Sequence, residues 1–264
     1  MPLVIDIGNT NIVVGIYEND VLKFTERLGT DKNKNFLEYA DDFFRLSARH
    51  NTDSMSVESA VAASVVPEIN DTIYNAVKEV FHIETVFVSH SINTGLNICT
   101  RKPEKTGADL ICGAAAAAIK YKPPFILFDL GTATTVCAVD EKNNYLGHSI
   151  TPGVDVSFGS LARQTAQLPD LTGCDSCDEV IGSDTESAIR SGVMLGAACF
   201  IDGMTRRYKK ILGENALVIA TGGLSGTIIS YCETDIIYDA DLILYGLNEL
   251  SKMNSCVCKE DCPH

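Results

Sequence analysis

Two short apolar runs, Leu3 to Ile5 and Phe125 to Phe128, each lead into a polar glycine loop and then into an alternating apolar segment. The first loop is Asp6-Ile7-Gly8-Asn9-Thr10-Asn11. It is followed by Ile12-Val13-Val14-Gly15-Ile16-Tyr17 and the polar turn Glu18-Asn19-Asp20. The second is Asp129-Leu130-Gly131-Thr132-Ala133-Thr134, followed by Thr135 to Val139 and the turn Glu141-Lys142-Asn143-Asn144. Short apolar and alternating runs bounded by turn residues predict strands. A strand, tight loop, strand, turn unit therefore heads each half of the chain. An internal repeat on this scale predicts two similar domains facing one another.

Between the repeats, Phe24 to Leu28 continues strand-like. Phe36, Leu37, Tyr39, Ala40, Phe43, Phe44 and Leu46 recur at helical spacing and predict an amphipathic helix from about residue 34 to about residue 49. Glu58 to Pro67 reads as a buried strand closed by proline. Ile69, Ile73, Val77 and Val80 mark a helix, and Thr85 to Val88 a short strand. The run Ala114 to Ala118 favours helix and close packing, and Asp109 falls near the start of that helix. A helix is also predicted over Ser157 to Gln167. A long one follows Thr185, with Ile189, Val193, Gly196, Ala197, Phe200, Ile201 and Met204 on one side. Leu217 to Ala220 is a strand running into Thr221-Gly222-Gly223, and a last helix carries Leu242, Tyr245, Leu247 and Leu250. The predicted boundary is Lys120 to Pro124, which divides the chain into residues 1–120 and 121–264.

The length, 264 residues, suits one large domain or two of ordinary size, and 45% apolar content suffices for a proper core. A formal charge of −14 argues against binding nucleic acid or an anionic membrane through a general basic surface. No apolar stretch reaches transmembrane length, and Met1-Pro2-Leu3-Val4-Ile5-Asp6 lacks the features of a signal peptide. These observations predict a cytoplasmic protein. Of its ten cysteines, Cys112, Cys137 and Cys199 lie in apolar contexts and read as small buried side chains. Cys174 and Cys177 form a Cys-x-x-Cys, and Cys256, Cys258, Cys262 and His264 crowd the tail. In a cytosolic protein these could bind zinc or respond to oxidation, although the spacing matches no common zinc module.

The paired loops have a clear chemical use. Glycine allows a sharp turn and close approach to a ligand, and successive backbone N–H groups make a concave anion site. Asn and Thr side chains can hydrogen-bond phosphate oxygens. A leading carboxylate repels phosphate, so Asp6 and Asp129 make sense only with a cation or its water shell. One Asp-x-Gly-x-Thr is weak evidence; two in equivalent settings point to phosphate binding. Asp109, in Gly107-Ala108-Asp109-Leu110, is either a functional carboxylate or a helix-start residue complementing the dipole.

A duplicated meander with Asp-x-Gly loops and a late Thr-Gly-Gly resembles the actin, hexokinase and Hsp70 superfamily. That resemblance implies an α/β fold of two ribonuclease H-like (actin-like ATPase) domains related by internal duplication, with an ATP cleft between them. Gly222 and Gly223 would pass close to the adenosine. Within the superfamily the chain resembles type III pantothenate kinase over nearly its whole length. The supporting segments are Asp6 to Thr10, Ser64-Val65-Val66-Pro67, Gly95-Leu96-Asn97-Ile98, Gly107-Ala108-Asp109 and Asp129 to Thr134. Further on come Pro152-Gly153, Thr165 to Pro169, Ile181-Gly182 with Thr185, Ser191-Gly192, Ile201-Asp202-Gly203 and Thr221-Gly222-Gly223.

The resemblance implies phosphorylation of pantothenate by ATP to 4'-phosphopantothenate, the first step of coenzyme A synthesis. It also implies Mg²⁺, a monovalent cation (K⁺ or NH₄⁺) near Asp129, and a homodimer. Asp109 matches the general base, and Asp6 the carboxylate at the metal. Gly8, Asn9, Thr10 and Asn11, with Gly131 and Thr132, match the phosphate cradle. Gly107, Ala108, Asp109, Leu110, Thr100 and Thr185 match the acceptor side. Three positions depart from the family pattern: Leu110 replaces an Arg, Thr100 a Tyr, and Asp184 an Asn. Loss of a charge-assisted contact costs roughly 1.5–3 kcal/mol. Three readings follow: a working kinase with a repacked acceptor site, an ATP-binding paralogue with a less anionic acceptor, and a non-catalytic regulator. The replacements at Leu110 and Thr100 predict ATP binding with weak or absent turnover of pantothenate.

Overall fold

In the computed structural model, residues 1–254 are described; Cys256, Cys258, Cys262 and His264 lie outside them. The first repeat folds as an antiparallel meander of β1 (Pro2–Ile7), β2 (Asn11–Glu18) and β3 (Val21–Gly29). On its other edge β1 pairs in parallel with β4 (Ser59–Ser64), and β4 with β5 (Thr85–Phe87). The sheet order is thus β3-β2-β1-β4-β5. Leu3, Ile5, Ile7, Ile12, Val14 and Ile16 lie in one core with Tyr39 and Phe43 of α1 (Phe36–Arg49) and with Ile73 and Val77 of α2 (Asn70–Phe81). Val4, between two of these, is also fully buried. Burial on both faces explains the unbroken apolar run at the start of the chain. Each such aliphatic side chain contributes about 1.5–3 kcal/mol by leaving water. Helix α1 begins where Asn35 accepts hydrogen bonds from the backbone N–H of Leu37 and Glu38, while Glu38 reaches back to the Asn35 N–H.

The second repeat reproduces this arrangement. Strands β7 (Phe125–Leu130), β8 (Ala133–Val139) and β9 (Asn144–Pro152) form the meander. Strand β10 (Leu217–Thr221) lies parallel to β7, and β11 (Ile237–Tyr238) parallel to β10. Its sheet runs β11-β10-β7-β8-β9-β6, the added strand β6 (Asn97–Ile98) pairing in parallel with β9. Omitting β6, the two orders correspond strand for strand. The duplication read from the loops is therefore a duplication of topology.

The compact units differ from a division at 1–120 and 121–264. The first comprises Met1–Leu96, Arg101–Ala116 and the chain from Leu242; the second comprises Asn97–Thr100 and Ala117–Asp241. The last helix, α8 (Leu242–Asn254), returns to pack on β1 and β4. It also meets α3 (Ala108–Tyr121) where Gly246 lies so close that a Cβ would stand 2.7 Å from Ala116 Cβ and 2.9 Å from the Cys112 carbonyl oxygen.

Other boundaries move for local reasons. Helix α4 spans Val154–Gln164, starting earlier than Ser157 because the Ser157 N–H already bonds the Gly153 carbonyl at 2.9 Å. The long helix after Asp184 is three segments: α5 (Thr185–Arg190), a π turn (Ser191–Leu195) and α6 (Gly196–Leu212). The extra residue of a π turn shifts helical phase. Met194 and Ala198 therefore join Ile189 and Ile201 in the core, while Gly196 is exposed. The same geometry corrects the expectation for Cys199, which is exposed on α6; Cys112 and Cys137 are buried. Among the described residues, no helix is long and apolar enough to cross a membrane.

Candidate active site

Asp6 lies near the end of β1, and the chain turns immediately after it. The Gly8 N–H donates to the Asn11 carbonyl at 2.9 Å, closing the loop on itself. Thr30, just beyond β3, clamps the loop from outside. Its N–H donates to the Thr10 carbonyl at 3.0 Å and its hydroxyl to the Gly8 carbonyl at 2.7 Å. Asn9, Thr10 and Asn11 are left exposed. Sequence reasoning missed Thr30. The only signal was its position one residue past a strand that pairs with the loop's own strand.

Asp109 sits in the first turn of α3, in the same compact unit. Its Oδ1 accepts a hydrogen bond from the Leu110 N–H at 2.8 Å. A Cβ at position 107 would stand 2.5 Å from that oxygen, so Gly107 is what allows this carboxylate orientation. Burial, and then the negative charge of Asp109, push the pKa of Asp6 from 3.8 up to about 7, against the opposing pull of Arg27. One helical turn below Asp109, burial and both carboxylates push the Cys112 thiol far up. Asp6, Asp109 and Cys112 are thus gathered at one place in the first unit. Leu110 is only 9% exposed, its side chain turned into the core.

In the second unit Asp129 lies near the end of β7, and the Gly131 N–H donates to the Ala133 carbonyl at 3.2 Å. Gly153 is built against this loop. Its N–H donates to the Thr132 carbonyl at 3.0 Å, and any Cβ there would overlap the carbonyls of Gly131 and Thr132. Gly222, with φ +98°, presses on the loop from β10: a Cβ would stand 2.6 Å from Asp129 Oδ1 and 2.7 Å from the Leu130 nitrogen. Such a φ and such crowding admit only glycine. Gly223, by contrast, is exposed and has open space where a Cβ would go. Thr221 is the ladder partner of Asp129, and its Oγ1 is buried with no hydrogen-bond partner among the described residues.

Thr185, exposed, opens α5. Asp184 caps the helix: its carboxylate accepts from the Ser187 N–H at 2.9 Å, and the Asp184 N–H donates to Ser187 Oγ at 3.1 Å. The Ser187 N–H holds the Asp184 carboxyl below its usual range. Asn and Asp serve equally well at such a cap, so the exchange at Asp184 leaves the start of the helix intact. Thr100 follows β6 and belongs to the second unit, whereas Gly107 to Leu110 belong to the first.

Among the described residues no three His, Cys, Asp or Glu side chains converge as a metal-ligand group. Cys174 and Cys177 instead pack on the second core. Their thiols donate to the carbonyls of Ser176 at 3.4 Å and Glu179 at 3.3 Å.

The sequence profile of type III pantothenate kinase matches residues 2–207. The chain belongs to the type III pantothenate kinase family. It is 38% identical over 254 residues to the type III pantothenate kinase of an Exiguobacterium species, covering 96% of this chain and 99% of that protein. The corresponding protein of Halalkalibacterium halodurans is 36% identical over 254 residues, with 96% and 100% covered. Among solved structures, a Campylobacter jejuni protein described as a putative Baf family transcriptional activator aligns with TM-score 0.62 at 19% identity, covering 96% of this chain and 99% of that one. The Clostridium difficile activator of 2-hydroxyisocaproyl-CoA dehydratase, bound to ADPNP, aligns with TM-score 0.55 at 11% identity, covering 100% and 98%. The chain thus shares a two-unit α/β fold with these structures, and the family to which it belongs is a family of kinases.

Proposed function

We propose that this protein transfers the γ-phosphoryl group of ATP to the hydroxyl of pantothenate, giving 4'-phosphopantothenate and ADP at the entry to coenzyme A synthesis. Membership of the family over nearly the whole chain supports this reading. The observation that carries it is the placement of Asp109 in the first turn of α3, its carboxylate oriented by the Leu110 N–H and near enough to Asp6, at the head of the Gly8 loop, for the two to repel. Phosphoryl transfer needs in-line positioning and charge neutralisation more than covalent help. Asp109, at the mouth of α3, takes the proton of the acceptor hydroxyl. Gly8 to Asn11 and Gly131 with Thr132 offer backbone N–H and side-chain donors to phosphate oxygens. Gly223, with open space where a Cβ would go, would border the adenosine, and Thr185 and Thr100 would contact the acceptor.

The donor sets fit the expected cations. Asp6 and Asp109 are hard oxygen ligands that repel one another when both are charged, a conflict that a divalent cation removes. Asp6 would hold Mg²⁺, which when bound neutralises charge on the phosphate oxygens. The Asp129 carboxylate, with the unpartnered Thr221 hydroxyl beside it in the ladder, fits a monovalent cation such as K⁺ or NH₄⁺. The net charge of −14 favours a small-molecule acceptor over nucleic acid, and we infer a cytoplasmic enzyme. Homodimerisation is supported by the exposed apolar side chains of Ile150, Val180, Ile181 and Ile211 in the second unit.

The test is ADP release by the full chain with Mg²⁺ and K⁺ or NH₄⁺, with pantothenate present or omitted. Release that depends on pantothenate supports the reading. Release independent of it, or none at all, overturns it.

A further inference from the structure

Ser191, the first residue of the π turn, reaches back along the chain: its Oγ donates to the Val180 carbonyl at 2.6 Å. We propose that Ser191 is a positioning residue for the acceptor side of the reaction. It holds segment 180–184 in place and so sets where Thr185 opens α5. The proposal rests on Thr185 being an acceptor contact, as put forward above.

The segment has no sheet ladder of its own, so its shape comes from bonds to the helix that follows. Gly182 lies against the Ser187–Ala188 backbone so closely that any Cβ would overlap it. The Ser183 N–H donates to Ser187 Oγ at 3.0 Å and to Glu179 Oε2 at 3.3 Å. Asp184 and Ser187 cap each other. These contacts fix the end of the segment next to Thr185. The hydroxyl of Ser191 fixes the other end. Ser187 and Ser191 are four residues apart, hence neighbours on one helix face, and both use that face to bind the segment.

The π turn explains how one helix serves two surfaces. Upstream of it, the face bearing Ser187 and Ser191 is turned to the segment. The turn inserts a residue, and downstream Ala198 and Ile201 are turned to the core. Gly192, inside the turn, and Gly196, just after it, have open space where a Cβ would lie. Val180 and Ile181 are 79% and 87% exposed, so these bonds, and not burial in the chain's own core, hold the segment.

The experiment compares the full-length protein with Ser191→Ala and Ser191→Thr, the latter keeping a hydroxyl. Steady-state ADP release gives kcat and the KM for pantothenate and for ATP. Hydrogen–deuterium exchange reports on peptides spanning residues 179–187. Ser191→Ala should raise the pantothenate KM about three- to tenfold, the cost of one net hydrogen bond. The kcat and the ATP KM should stay within about twofold, exchange over 180–185 should quicken, and Ser191→Thr should restore both readouts. Unchanged exchange would show that the bond does not hold the segment. Quickened exchange with an unchanged pantothenate KM would show that the segment does not serve the acceptor. Faster exchange throughout the second unit would mark a merely structural serine. Each of these outcomes overturns the proposal. If the wild-type chain releases no ADP with pantothenate, the kinase reading fails first and the acceptor role falls with it. The exchange measurement then still reports separately whether Ser191 holds the segment.

Discussion

Asp109, in the first turn of α3, stands close enough to Asp6, near the end of β1, for its charge to help raise the Asp6 pKa to about 7. About a hundred residues separate them in sequence, and the packing of α3 against the first unit brings them together.

The first expectation concerns pH. The folded-state value of Asp6 lies above its ordinary 3.8, so the folded chain holds that proton more tightly than the unfolded one. Stability from this group is fully present below about pH 4 and is lost as the pH rises through about 7. The rise from 3.8 to about 7 sets an upper bound of roughly 4 kcal/mol on the loss. Urea unfolding in EDTA from about pH 5.5 to 8 should show falling stability, and Asp6→Asn should flatten the profile. Added Mg²⁺ should restore stability at the alkaline end. A wild-type profile as flat as that of the variant would remove the coupling.

Asp109→Asn tests the base. Removal of a general base should lower kcat by about 10²–10⁴-fold, with ATP affinity kept. The loss of a like charge should also move the Asp6 titration down, visible as a shift of the unfolding profile towards lower pH. Retained turnover would remove Asp109 as the base.

The glycine pair after β10 allows a clean separation of fold from ligand. Gly222→Ala forces a side chain into φ +98° and into Asp129 and Leu130, and should cost about 2 kcal/mol or more of stability. Gly223→Ala meets open space and should leave Tm within a degree or two. If Gly223 borders the adenosine, the same change should raise the ATP KM several-fold. Equal melting behaviour of the two variants would contradict the geometry; an unchanged ATP KM would contradict the assignment.

Leu110→Arg combined with Thr100→Tyr addresses the acceptor contacts. Restoring a charge-assisted contact should raise turnover at low pantothenate by about one to two decades. Because Leu110 is 9% exposed, the Arg must find a carboxylate partner or lower Tm. ADP-release kinetics and a melting curve settle both points, and no gain in turnover would mean that Leu110 and Thr100 do not limit acceptor use.

Much of the site could be read residue by residue. Both Asp-x-Gly loops, the glycine turn after β10 and the position of Asp109 at a helix start follow from turn chemistry and periodicity among near neighbours. Thr30 could not be read in this way, and Gly153 entered only as part of a motif, without its role: each acts on a loop whose own residues lie about twenty positions earlier in the chain, and neither carries a periodic signal. The π turn was hidden because an inserted residue leaves composition unchanged and alters only phase, so Gly196 was assigned inward and Met194 was overlooked. Asp184, a departure by residue type, proved neutral to the helix start because a cap needs only a side-chain oxygen.

The sequence alone determined the duplicated meander, the two Asp-x-Gly loops and the kinase family, because strands, turns and motifs are written in adjacent residues. Tertiary structure decided the rest. It returned α8 to the first unit through the close approach of Gly246, set Asp109 against Asp6, and seated Gly222 on Asp129. Each of these depends on packing between segments far apart in the chain, where burial and steric fit outweigh any local preference.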